Sequence, residues 1–174
     1  VTNTGGVYNR VVNDSVTPAT LTFNINNAGP VFGDFGGLLG GATANENNFG
    51  ITKIGANDWA LAGNGHTYTG LTTVNGGTFR LATQATYGAG KLGASTGASD
   101  ATVVNPGGSF DFGGLSAGDE RFIISGRGNT QTNAGFETGA LRNNPGTAAA
   151  SANSAKYVTL AGNASIGKAG SVAD

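Results

Sequence analysis

Two copies of Asp-Phe-Gly-Gly-Leu, at Asp34 to Leu38 and Asp111 to Leu115, offer the first hint of chemistry in this sequence. An Asp-Phe-Gly aspartate can hold magnesium beside nucleotide phosphates, but only with a glycine-rich phosphate loop, a strand lysine and a His-Arg-Asp catalytic loop. None of the three is present. The nearest approach, YGAGKLG at Tyr87 to Gly93, has Ala85 where a phosphate loop needs glycine and Leu92 where it needs serine or threonine. The duplication therefore reads as a repeated structural unit, with the phenylalanine facing inward on a strand and the Gly-Gly ending that strand in a turn. Asp34 and Asp111 are expected to be structural.

The remaining reactive side chains are scattered. Only Asp119 and Glu120 are adjacent among the ten acidic residues, and neighbours on a strand point to opposite faces. General acid-base work would need Asp111, Glu120, Arg121 and Arg127 to converge around one coil, and a solvated outer face is the simpler account of them. His66, the single histidine, supplies neither a catalytic triad nor a zinc set. Trp59 and Tyr68 have rings able to stack on a sugar, and both read more readily as packing residues. Trp59, His66 and Arg127 are the candidates for a surface contact, a cell-surface glycan being the ligand. No catalytic residue, metal or cofactor is expected. The sequons Asn13-Asp14-Ser15 and Asn163-Ala164-Ser165 matter only in a host that glycosylates them.

Composition narrows the class. Thirty-two glycines with four prolines and no Gly-X-Y period exclude collagen, and clusters of Val, Ile, Leu and Phe argue against disorder. With nine Lys and Arg spread singly and a net charge of −1, there is no electrostatic footprint for nucleic acid. Absence of cysteine removes disulfides and thiolate sites. No apolar run reaches the roughly 20 residues of a membrane span, so no membrane insertion by this segment is expected.

The elements that position these residues are short strands joined by small-residue corners. TTVNGGTFRLA (Thr72 to Ala82) aligns with ATVVNPGGSFDFGG (Ala101 to Gly114) through Val-Asn, a glycine pair, Thr or Ser, and Phe. Weaker copies are YVTLAGNASIGKAG (Tyr157 to Gly170), ATLTFNINNAGPVFGDFGG (Ala19 to Gly37) and FGITKIGANDWALAG (Phe49 to Gly63). Apolar residues alternate at Leu21, Phe23 and Ile25, at Phe79 and Leu81, and at Phe110 and Phe112, which points them to one face. Glycine and asparagine suit corners that need positive φ, and asparagines at equivalent corners are placed to form amide ladders. Helix is a minor component, and the Ala-rich Gly146 to Lys156 reads as a loop. Recurrence at about 20 to 30 residues predicts a β-solenoid of about six to eight coils, a rod of roughly 30 to 40 Å.

One stretch goes beyond pattern. ITKIGANDWALAGNGHTYTGLTTVNGGTFRLA (Ile51 to Ala82) resembles the autotransporter-associated β-strand repeat, in Thr52, Lys53, Gly55, Trp59, Leu61, Gly63, Tyr68, Thr69, Gly70, Thr72, Val74, Gly77, Thr78 and Leu81. It departs at Ile54, at Ala56 and Asn57, and at Phe79 and Arg80. Gly139 to Gly167 is similar to the longer spacer repeats of the same group. The resemblance implies an all-β chain, a right-handed parallel β-helix with irregular loops at the corners, in a secreted or bacterial cell-surface passenger. β-Helices also carry polysaccharide-degrading sites, but these need clustered carboxylates that are lacking here.

The whole chain, 1–174, is accordingly expected to be one β-solenoid domain or a segment of a larger repeat protein, structural rather than catalytic. Its expected partners are other copies of itself or flanking repeats, joined by end-to-end strand stacking, because neither terminal stretch reads as a polar cap. The alternative role is adhesion through the outer face and the loops Gly88 to Ser99 and Gly126 to Gly139.

Overall fold

The computed structural model describes residues 9–26, 33–62, 65–81, 92, 101–129, 139–144, 155 and 157–168. Short runs rich in Val, Ile, Thr and Phe form strands, as their β-branched and aromatic side chains favour. A two-stranded pair joins β1 (Arg10–Val11) to β4 (Leu38–Leu39). One six-stranded sheet contains β2 (Ala19–Asn24), β5 (Phe49–Ile54), β7 (Thr72–Val74), β9 (Thr102–Val104), β11 (Arg121–Gly126) and β13 (Tyr157–Ala164). The other contains β3 (Gly33–Phe35), β6 (Asp58–Leu61), β8 (Gly77–Leu81), β10 (Gly108–Asp111), β12 (Leu141–Asn143) and β14 (Ile166–Lys168).

The chain alternates between the two sheets, and each strand lies parallel to its predecessor in the same sheet. The protein is thus all-β with stacked parallel sheets, compatible with the expected solenoid. Among the described residues the two sheets have six levels, the lower end of the expected six to eight, and the usual strand spacing of about 4.8 Å puts the first and last strands roughly 24 Å apart.

Register carries the core from level to level. Leu21, Ile51, Thr72, Thr102, Phe122 and Val158 form one column of the first sheet, and Phe23, Lys53, Val74, Val104, Ile124 and Leu160 the next. In the second sheet Trp59, Phe79, Phe110, Leu141 and Ile166 share a column. Trp59 stacks on Phe23 at 4.1 Å between ring centroids, and Phe79 meets Phe110 at 5.4 Å. Phe110 then contacts Phe122 at 4.9 Å, joining the two sheets. Each fully buried ring contributes about 1.5–3 kcal/mol by leaving water. At the β13–β14 level the columns end in the exposed Val158, Leu160 and Ile166.

The repeat alignment holds residue for residue across the corner. Thr72 pairs with Thr102 and Val74 with Val104, then Gly77 with Gly108 and Phe79 with Phe110; Pro106 is the extra corner residue. Asn105 Nδ2 donates to Asn75 Oδ1 at 2.7 Å, the amide ladder foreseen for these corners. In the second Asp-Phe-Gly-Gly-Leu, Phe112 is buried and Gly113 and Gly114 turn the chain with φ of 60° and 81°. A third side is made by the segment after β6, where the Thr67 amide donates to Leu39 O at 2.8 Å and the Gly70 amide to Phe49 O at 2.9 Å.

Helix is confined, among the described residues, to α1 (Ala44–Asn47). Thr43 and Glu46 form a reciprocal capping box there, and the Thr43 and Ala42 amides hold the Glu46 carboxyl below its usual range. No helix among the described residues is long and apolar enough to cross a membrane. The loop expected at Gly146 to Lys156 lies almost wholly outside the described residues.

Candidate functional site

Of the residues singled out in Ile51 to Ala82, Lys53, Gly55 and Gly77 assemble into one corner spanning two levels. Lys53 occupies an inward position of β5, between Phe23 and Val74, where the alternation Phe49, Ile51, Lys53 demands an apolar side chain. It is 1% exposed. Its ammonium donates to three backbone carbonyls, Ile54 O at 3.0 Å, Gly55 O at 2.9 Å and Gly76 O at 2.9 Å. Those acceptors belong to successive corners, so a single cation ties the end of β5 to the start of β8. All three ammonium protons are used.

Glycine completes this corner. A Cβ on Gly77 would sit 2.3 Å from Asn57 O and 2.6 Å from both Gly55 O and Lys53 Nζ, and the residue has φ of 64°. Lys53, Gly55 and Gly77, more than 20 residues apart at their extremes, are therefore parts of one clamp. Beyond it, Trp59, Leu61, Val74 and Leu81 fill the core, while Thr78 is buried on the outer side of β8. Gly70 abuts Gly50, where any side chain would strike backbone at 2.7 Å. Tyr68 is buried, with its hydroxyl 2.6 Å from Thr72 Oγ1, and Thr72 Oγ1 donates to Leu92 O at 3.1 Å.

Burial lowers the Lys53 pKa to about 8, with the Asp58 carboxylate acting in the opposite direction, and burial pushes the Tyr68 phenol upward. The signs differ in consequence. Lys53 gives up its proton more readily folded than unfolded, so its linkage adds stability as pH rises from about 8 towards the unfolded value near 10.4. Tyr68 resists ionisation when folded, so its contribution is present below about pH 10 and lost above it. Urea midpoints are expected to rise modestly from pH 8 to 10 and to fall beyond. Lys53→Met should cost about 1–3 kcal/mol at pH 7 by stranding three carbonyls, and should abolish the rise. A Lys53→Met midpoint unchanged at pH 7 would refute the clamp.

A second cluster lies on the outer side of the second sheet. Asp111 is fully buried; its Oδ1 accepts the Gly113 and Asn144 amides, both at 2.9 Å, and its Oδ2 accepts Arg142 Nε at 3.0 Å. The Asp-Phe-Gly aspartate thus fastens β10 to β12. Arg142, 3% exposed, lies along the sheet and brings Nη2 to 3.6 Å from Asp58 Oδ2, so it spans the four strands from β12 to β6. Arg80 reaches the other way, donating from Nη2 to Asn144 O at 3.3 Å. Sequence reasoning missed Arg142, although its position beside the inward Leu141 marked it as outward-facing.

Other nominated residues do not converge. Glu120 is buried inside, accepting from Thr102 Oγ1 at 2.8 Å; Arg121 lies over the Tyr157 ring at 4.3 Å; Arg127 is exposed beyond β11. Trp59 and His66, expected as surface contacts, are both 2% exposed, because each points into the stack and not to solvent. Of the three, Arg127 alone presents an accessible side chain. Asp34 pairs with Ala60 in the β3–β6 ladder, and its side chain is not among the described ones. Among the described residues no group of three His, Cys, Asp or Glu could hold a metal ion. The first sequon asparagine is committed to Thr17 O and Asn48 O, both at 2.8 Å.

Residues 51–81 match the passenger-associated-transport-repeat family. The autotransporter-associated repeat expected at 51–82 is therefore present, and it coincides with the Lys53 corner. No curated protein and no solved structure matches the chain.

Proposed function

We propose that this chain is a non-catalytic stalk segment of an extracellular or cell-surface passenger, a right-handed β-solenoid whose work is mechanical. The observation that carries this reading is the coincidence of the matched repeat with the Lys53–Gly77 clamp: the motif residues serve to hold one level on the next. Structural use of the motif favours a scaffold over a binding site. The aromatic and histidine nominated for a glycan are interior, which weakens the adhesive alternative.

The partner of such a segment is another coil of the same kind, from flanking repeats or from a second copy. Val158, Leu160 and Ile166 support this, since they continue the inward columns of Phe122, Ile124 and Leu141 and remain 39%, 67% and 68% exposed. Light scattering and electron microscopy of the purified chain, with a glycan array alongside, test the reading. Rods, single or lengthened end to end, with a silent array are the expected result. Selective capture of one glycan class, abolished by Arg127→Ala, would replace the stalk with an adhesin.

A further inference from the structure

His66 is the single histidine of the chain, and it is buried on the third side of the stack. Its Nδ1 accepts the Leu39 amide at 3.1 Å. An amide N–H only donates, so this bond exists only while Nδ1 keeps its lone pair, which fixes the ring as neutral with its proton on Nε2. Leu39 is held from its other side as well: its carbonyl accepts the Thr67 amide at 2.8 Å and the Tyr68 amide at 3.3 Å. Asn47 Oδ1 accepts the Gly41 amide at 2.7 Å and Thr67 Oγ1 at 2.6 Å, closing the same seam.

The geometry points to an acid latch at this seam. Protonation of His66 sets two N–H donors against each other at the Leu39 amide and loosens the level made by β1, β4 and the helix from the segment 65–70. Among the described residues, the charged side chains around the seam are Arg10 on β1, Glu46 on the helix, Lys53 on β5, and the buried Glu120, whose charge acts on the Tyr68 phenol and whose carboxylate accepts Thr102 Oγ1. Glu46 spends its carboxylate on the Ala42 and Thr43 amides, at 2.6 and 2.8 Å. Arg10 is exposed and carries the same charge as an imidazolium, and Lys53 is clamped to its three carbonyls at the far end of β5. The Tyr68 phenol, next along the chain, is turned to Thr72.

An open seam binds the proton that the closed one refuses, so the opening constant rises tenfold per pH unit below the ordinary imidazole value. Between pH 6.5, where the open ring is already half protonated, and pH 5 that is about 16-fold. Amide hydrogen exchange, corrected for intrinsic rates, reads it directly. Protection at Leu39 and Thr67 should fall about 16-fold over that range while amides of β7 to β10 hold theirs. His66→Asn places an untitratable acceptor near the Nδ1 position and should flatten the profile. An imidazole that titrates near 6.5 in the folded protein with Leu39 protection unchanged would overturn the latch, as would an equal pH slope in His66→Asn. Should that variant fail to fold, the wild-type ring titration and exchange profile decide between the same two outcomes.

Discussion

Arg142→Met is expected to destabilise the fold by about 3–5 kcal/mol, which for a chain of this size lowers the melting temperature by roughly 6 to 20 °C. Methionine keeps the apolar stem of the side chain and removes the guanidinium with its charge. What remains is Asp111, fully buried, with its Oδ2 stripped of the Nε donor at 3.0 Å. Leaving one member of a buried ion pair unpartnered costs far more than the pair contributes when intact. The span adds to this, because Arg142 links Asp111 on β10 to Asp58 on β6 and so couples four strands through one guanidinium. Asp111→Asn should cost less, since its amide oxygen can still accept the Gly113 and Asn144 amides. Combining it with Arg142→Met should recover part of the loss, because the uncompensated charge is gone. Thermal melts of the two single variants and the double variant decide it: additive effects would show that the two side chains act independently.

Much of the fold was legible because strand alternation and small-residue corners leave a strong mark. Phe79, Leu81, Phe110 and Phe112 are read as inward from period alone, and they are buried. The pairing of Asn75 with Asn105 follows from aligning two corners, since equivalent positions in stacked levels must meet. By contrast β11 (Arg121–Gly126) escaped notice: it has the alternation of Phe122 and Ile124, but its positive-φ glycines, Gly126 and Gly128, are separated by Arg127 and do not show the Val-Asn and glycine-pair pattern of the aligned corners. The buried ions escaped for a different reason. Charge usually signals solvent, and nothing local to Asp111 announces that Arg142, 31 residues on, will lie against it. Lys53 did carry a signal, as a cation on the inward parity of Phe49 and Ile51 has to find acceptors inside.

Trp59 and His66 show the limit of judging a side chain by type. A lone tryptophan beside a glycine-rich turn suggests a platform for sugar, yet its inward parity in β6 sends it onto Phe23 and Phe79. Parity decides exposure in a stacked sheet, and the residue's chemistry decides only what it does once there. In the stretch that resembles the repeat, Lys53, Trp59, Leu61, Val74 and Leu81 are buried on inward parity, and Gly55 and Gly77 stand where an added Cβ would strike backbone.

Gly77→Ala is expected to cost about 3–4 kcal/mol for the addition of a single methyl group. Part of this, about 1–2 kcal/mol, is the strain of an alanine at φ of 64°. The rest comes from what the methyl meets. Asn57 O at 2.3 Å and Gly55 O at 2.6 Å are backbone atoms fixed by the corner, and Lys53 Nζ at 2.6 Å is held by three carbonyls, so none moves without breaking bonds. Gly65 supplies the control, with φ of 77° and nothing within 4 Å of its Cβ position. Gly65→Ala should show the backbone strain alone, and the difference between the two variants measures the crowding at the clamp. If Gly77 and Lys53 belong to one device, the cost of Gly77→Ala should shrink by about 0.5–3 kcal/mol in a Lys53→Met background, where the ammonium no longer occupies the space. Urea denaturation of the four variants of that cycle measures the coupling. Strict additivity would mean that the motif's lysine and glycine stabilise the corner separately, and the clamp would have to be abandoned as the physical meaning of the repeat.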